Sequence, residues 1–299
     1  MISPHPVRVV VLAFAIFLPW GVDAADPASE VVAKITGAEI TKTKNELTGL
    51  SFKDCKSLTE ADYRQVRQLE GLKSLSFGFG LDDASLKTLE GMPAIESFTT
   101  NGMTVSDEGI RTLASFKALR NICFFHPGKN FQGSGLKALA QLPNLESFSV
   151  GGSMEFSDPG MAAVATLVHL KGFRTWHTGV TVEGVKALSA LKELKTLTIG
   201  QRLSMKPPVT LNDETVAVIA EFSSLEALTL QEARLSLPAL TKLKQLPNLK
   251  RLTLDGIDIP ESDIAALKQE LPKAEIKWTA PNEAGQRRIE ALFGPTKPQ

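Results

Sequence analysis

Nine short segments recur along this chain, and their spacing constrains its fold more than any other feature. Residues 47–52 (LTGLSF), 72–77 (LKSLSF), 95–100 (IESFTT), 119–124 (LRNICF) and 145–150 (LESFSV) share an apolar pattern at offsets 0, 3 and 5. Residues 170–175 (LKGFRT), 194–199 (LKTLTI), 225–230 (LEALTL) and 249–254 (LKRLTL) continue it. The first positions follow one another every 23 to 26 residues, apart from one step of 31 between Leu194 and Leu225. A unit of that length holds one strand and one return. It cannot bury its own apolar face, so the units must stack and bury one another.

Alternate side chains of a strand face the same way, so offsets 3 and 5 point into the stack and the leading leucine closes the corner before them. Between the segments lies a second apolar set at helical spacing: Leu86, Leu89 and Met92, then Ile110, Leu113 and Phe116, then Leu136, Leu139 and Leu142. The expected architecture is an α/β leucine-rich repeat solenoid. It is a horseshoe with a parallel concave sheet of about ten strands and helices on its convex side. Ser106, Ser157, Asn212 and Ser236 stand where helix caps are needed. Acidic pairs such as Asp82-Asp83 and Asp213-Glu214 fall in first turns, where they complement the helix dipole.

A stack cannot cover its own ends. Residues 25–46 read as an N-terminal cap, with a short helix over 28–36 and a hairpin whose strands are 38–41 and 46–52. Residues 47–280 hold the repeats, closed by Ile276 and Trp278, which lie 24 residues after Leu252 and Leu254. Residues 281–299 supply a final helix over 283–293 and a loose tail. Residues 1–24 read as a secretory signal peptide, with Arg8, an apolar run from Val9 to Leu18, Pro19 and Gly21, and a small-residue exit at Ala24. The run is roughly half of the ~20 residues that span a bilayer, so the mature chain is expected to be exported, to the periplasm, the envelope or the exterior, with no integral membrane segment.

The units 72–92, 95–116 and 145–167 carry Gly102-Met103 or Gly152-Ser153 after the strand and Ser-Asp-x-Gly at the helix start (Ser106 to Gly109, Ser157 to Gly160). On these residues, and on the end segments 31–52 and 271–278, the chain resembles exported leucine-rich repeat proteins of bacteria, a type abundant in planctomycetes and their relatives. It departs from the eukaryotic pattern, whose asparagine ladder is replaced by Cys55, Gly80, Met103 and Pro127. The resemblance implies the fold and export. It implies no reaction and no named ligand.

Lys plus Arg balances Asp plus Glu at 33 each, so no global field draws the chain to nucleic acid. Beyond residue 24 the histidines are His126, His169 and His177, and no metal-binding cluster, phosphate loop or nucleophile elbow occurs. Cys123 with His126 or His177 is the sharpest nucleophile-base candidate, but two strand spacings separate the outer pair by roughly 10 Å, beyond hydrogen-bond reach. Neither an enzyme nor a cofactor is expected. Cys55 and Cys123 fall three strands apart, about 14 Å against a ~7 Å Cα limit, so two free thiols are expected.

Function is therefore sought on the surface. The outward residues of the sheet are small and hydroxylated, among them Ser74, Ser76, Ser97, Thr99, Ser147, Ser149, Thr196 and Thr198. One position beyond, Asn101, Phe125, Trp176 and Gln231 interrupt a row that also holds Gly78, Gly151 and Gly200. Inward placement of Trp176 would bury Arg174 without a partner, so both are expected to face outward. Phe125 and Trp176 then flank Gly151 across roughly 10 Å, a gap for one flat group. Loops 126–135 and 200–211, the second with Arg202, Lys206 and Pro207-Pro208, lengthen the same edge. The expected partner-binding residues are Asn101, Phe125, His126, Arg174, Trp176, His177 and Gln231. The chain reads as a monomeric, non-catalytic protein-protein interaction or scaffolding module. The alternatives are a carbohydrate or small-ligand binder using the aromatic clamp and a purely structural envelope component.

Overall fold

The computed structural model describes residues 35, 38–43, 46–201 and 209–295. The expected signal peptide, nearly all of the 28–36 helix, the segment 202–208 and the tail after 295 lie outside the described residues.

Eleven strands form one sheet in chain order. They are β1 (Ala38–Thr43), β2 (Glu46–Asp54), β3 (Ser74–Phe79), β4 (Ser97–Asn101), β5 (Asn121–Phe125) and β6 (Ser147–Gly151). The series continues through β7 (Gly172–Trp176), β8 (Thr196–Gly200), β9 (Ala227–Gln231), β10 (Arg251–Asp255) and β11 (Glu275–Thr279). β1 pairs antiparallel with β2, with a bulge between Thr41 and Lys42. Both hairpin strands run two residues further than the sequence pattern marks, to Thr43 and Asp54. All later pairs are parallel, with helical returns on the convex side, and the chain is a leucine-rich repeat solenoid.

The pairing aligns the repeats residue by residue. One inward row runs Leu50, Leu75, Phe98, Ile122, Phe148, Phe173, Leu197, Leu228 and Leu252. A second runs Phe52, Phe77, Thr100, Phe124, Val150, Thr175, Ile199, Leu230 and Leu254, and both rows are buried. Phenylalanines touch from strand to strand, with ring centroids 5.5 Å apart for Phe52 and Phe77 and 5.9 Å for Phe148 and Phe173. Phe131 and Phe156 fill the core behind them, stacked at 6.0 Å.

The returns are short. Several are 3₁₀ turns, as over Arg111–Ser115 and Ser134–Gln141, where a helix was expected over Leu136, Leu139 and Leu142. The tighter winding rises about 2 Å per residue against 1.5 Å for an α-helix, so a brief return covers more distance.

One joint recurs where a strand-end loop enters the next return. The Asp83 carboxylate accepts from the amide and hydroxyl of Ser106 at 2.7 and 2.6 Å, and Ser106 in turn caps its own helix at Gly109. Asp158 takes the amide and hydroxyl of Thr181 at 2.8 and 2.7 Å, and Asp213 those of Ser236 at 2.9 and 2.7 Å. Asp107 instead accepts three backbone amides, from Gln132, Gly133 and Gly135. These acids therefore do more than complement a helix dipole: each ties its repeat to the next. Ser157, expected to cap, makes no side-chain cap bond, and no aspartate from the preceding repeat reaches it among the described residues.

The joint also explains the glycines three residues after Ser106 and Thr181. A Cβ on Gly109 would land on the Asp83 carboxylate, and one on Gly184 on that of Asp158. An exposed helical Gly→Ala change ordinarily stabilises by about 0.5–1 kcal/mol. Gly109→Ala and Gly184→Ala are expected to do the reverse and lower Tm, because the carboxylate must withdraw from its hydrogen bonds. Thermal unfolding followed by circular dichroism reads the sign directly, and a rise in Tm for both would contradict the joint.

Candidate interaction surface

The residue after each strand end sets the geometry of the edge. Gly102, Gly152 and Gly256 hold left-handed backbone there, and three non-glycine residues do the same: His126 (φ 44°), His177 (φ 52°) and Glu232 (φ 60°). Such a conformation costs roughly 1–2 kcal/mol for a residue with a Cβ. All three side chains are engaged. His126 Nδ1 lies 3.1 Å from Asn101 Oδ1, with its ring against Gly152. His177 Nε2 donates to Glu232 Oε2 at 2.7 Å, and Arg288, from the C-terminal helix Glu283–Phe293, donates to Glu232 Oε1 at 3.2 Å.

The strand ends carry the aromatic pair. Phe125 and Trp176 both point outward, as expected, and Arg174 is exposed beside them. The expected gap between the rings is absent. Their centroids are 5.3 Å apart in an edge-to-face contact, because Gly151 has no Cβ and the Trp176 indole lies over the space one would fill. The guanidinium of Arg174 stacks over the Trp176 ring, 4.3 Å from its centroid. The result is a packed ridge of Phe125, Trp176 and Arg174, not an open clamp.

The other expected residues divide. Asn101 and His126 form one pair at the ridge's N-terminal side, while His177 joins Glu232. Gln231 turns to Asp255, donating at 3.1 Å, and Asp255 accepts from the Thr279 hydroxyl at 2.8 Å. Glu232, Asp255 and Arg288 were not among the expected residues. The missing glycine at the post-strand position is the signal that marks Glu232. Phe79 also stands on this edge, 53 % exposed and lying against Gly102.

The trough beside the ridge is lined by Ser147, Ser149, Thr196 and Thr198, and ion pairs run along its rim. Lys73 meets Glu96 at 3.4 Å, Glu146 meets Arg120 at 3.6 Å and Lys171 at 2.7 Å, and Glu226 meets Lys195 at 3.1 Å and Lys250 at 2.8 Å. Hydrogen bonds from Lys171 and Lys250 hold Glu146 and Glu226 below the ordinary carboxylate range. Arg174 has no carboxylate partner among the described residues.

Nothing in this set activates a nucleophile. Burial pushes the Cys123 thiol up to about 11, against the lowering influence of Arg174 and Ser149. Cys55 is buried, also raised to about 11 by desolvation, and both cysteines are free thiols. A cleft of about 540 Å³ lies away from the trough, between Asp213, Ser236, Asp258 and Phe293. Arg234 spans it, donating to Asp258 at 2.7 Å and to the Gly294 carbonyl at 2.7 Å, so it serves to seat the C-terminal helix.

No protein-family model and no curated protein matches this chain. Among solved structures it is similar to an internalin (inlF) from Listeria monocytogenes str. 4b F2365, with a TM-score of 0.49 and 13 % identity over 90 % of this chain and 80 % of that one. It is also similar to a chain of the Rad7 and Elc1 complex in yeast, with a TM-score of 0.38 and 15 % identity over 80 % of this chain and 79 % of that one. The fold assignment rests on the sheet and its register.

The hydrogen bond from His177 holds the Glu232 carboxyl below its ordinary value, aided by the charges of His177 and Arg288 and opposed by burial. A depressed carboxylate contributes stability that is full above the unfolded value, about 4.3, and is lost as pH falls through the lowered native value. Glu232→Gln should therefore flatten part of the acid side of the stability profile and leave its alkaline side parallel to wild type. Urea unfolding at a series of pH values measures this, and an unchanged acid slope would refute it.

Proposed function

We propose that this chain is a non-catalytic protein-interaction module of the cell envelope or exterior, which holds a partner in the concave trough and against the Phe125–Trp176–Arg174 ridge. Arg174 carries the reading. It is exposed, stacked on Trp176 at 4.3 Å and surrounded by hydroxyls, without a described carboxylate to satisfy it. The stack holds the guanidinium in place before a partner arrives, so a bidentate contact to a carboxylate costs less ordering. Arg and Trp near the centre of an interface are also the side chains that most often dominate its energy. The expected partner is a protein segment presenting an acidic side chain or a C-terminal carboxylate.

The closed ring pair weighs against a carbohydrate slot, which needs a free aromatic face. The exterior location rests on residues 1–24 and their signal-peptide character. In the described residues no helix is long and apolar enough to cross a membrane.

A photo-reactive residue at Thr198, in the trough, should give a discrete protein adduct in living cells of the source organism. The same residue at Lys87, on the convex side, should not. Arg174→Ala should reduce the Thr198 adduct by about tenfold or more, in line with loss of a central anchor. Equal adducts from both positions, or a Thr198 adduct indifferent to Arg174→Ala, would overturn the reading.

A further inference from the structure

The two ends of the sheet are finished differently. At the first, β1 doubles back on β2, its pairing broken by the Thr41/Lys42 bulge and its outer residues Thr41, Lys42 and Thr43 exposed. Bulges and charge are the features that blunt an edge strand. β11, at the other end, is a regular five-residue strand, Glu-Ile-Lys-Trp-Thr, in unbroken parallel register with β10.

Its backbone bonds show which groups are left over. Glu275 N donates to Lys250 O at 2.8 Å, and Thr279 O accepts from Ile257 N at 3.3 Å. A residue in a strand directs its amide and carbonyl to one side and its neighbours direct theirs to the other. Glu275, Lys277 and Thr279 therefore face β10, while Ile276 and Trp278 offer two amides and two carbonyls to the far side. Among the described residues nothing pairs there. Their side chains are only partly buried, although the same rows are fully buried in β10. The C-terminal helix does not cover this edge, because Arg288 and Gln286 draw it back over β9 and β10, to Glu232 and Asp258.

We propose that β11 pairs antiparallel with β11 of a second copy of this chain, about a two-fold axis perpendicular to the sheet. Charge selects the register. An axis through Lys277 sets that lysine against its own copy, and like charges directly opposite repel. An axis through Trp278 sets Ile276 opposite Ala280, beyond the strand. An axis through Ile276 sets Glu275 opposite Lys277 of the second copy, twice, and Ala274 opposite Trp278 of the second copy, where the small residue leaves room for the indole. Glu275 and Lys277 already stand on one face, 3.2 Å apart, so the pairing exchanges the two internal contacts, one in each chain, for two between chains. The two concave faces then point the same way and form one continuous trough with two Arg174 ridges. The monomer expected from the sequence gives way to a self-complementary dimer.

The test is sedimentation velocity on the purified protein in the form its host leaves after processing, at concentrations up to about 100 µM. A species of twice the chain mass is expected. Lys277→Glu places two carboxylates opposite each other at both cross-strand pairs and should weaken dimerisation at least about tenfold. Glu275→Lys/Lys277→Glu reverses both charges, restores the complementarity and should restore the dimer. Both positions are exposed, so an unchanged Tm confirms that the variants are folded. A monomer throughout the range overturns the proposal. So does a dimer indifferent to Lys277→Glu, or one that the double exchange fails to recover, since either places the contact elsewhere.

Discussion

In a stack of repeats each unit touches only its neighbours, so everything depends on how one repeat is fixed to the next. Here the aspartate at the first helical position does this. Asp83, Asp107, Asp158 and Asp213 each reach forward to the following repeat with two or three hydrogen bonds. Bonds to a charged acceptor are worth about 1.5–3 kcal/mol each. They act at the rim of the stack, where apolar packing is thinnest. Val182 stands where the aspartate would be in one return, and there a different link spans the joint. Between the returns that start at Val182 and Asp213, Thr210 donates to the Val180 carbonyl at 2.7 Å, while Gln201 Oε1 accepts the amides of Thr210 and Leu211.

With neighbours fixed this way, the edge can carry residues that a free loop would not hold. His126, His177 and Glu232 occupy backbone that glycine holds in neighbouring repeats, and each is secured by a polar contact. The same rigidity holds Trp176 against Phe125 and under the exposed Arg174 guanidinium. The surface chemistry is thus a consequence of register: alternate residues of each strand are committed to the core, and what remains forms aligned columns across ten parallel strands.

The inward rows were legible in the sequence because a period of two residues within each strand and about 24 between strands leaves a single alignment. Arg174 fixed the parity of β7 on its own, since the other parity buries a charge. The role of the aspartates was not legible, because a dipole argument looks at one helix and the bond spans 23 residues to the next. The Phe125–Trp176 distance failed for a different reason. Backbone spacing places the strands but not the rings, and Gly151 lets the indole cross the gap. Glu232 was missed because its partner, His177, lies 55 residues earlier.

The central claim is that the first-turn carboxylate couples neighbouring repeats. A double-mutant cycle on Asp158→Ala and Thr181→Ala, read from urea unfolding at neutral pH, tests it most directly. The account predicts a coupling energy of about 1 kcal/mol or more between the two sites. Changes that add to within about 0.3 kcal/mol would show that the two residues stabilise their own repeats separately, and would contradict it.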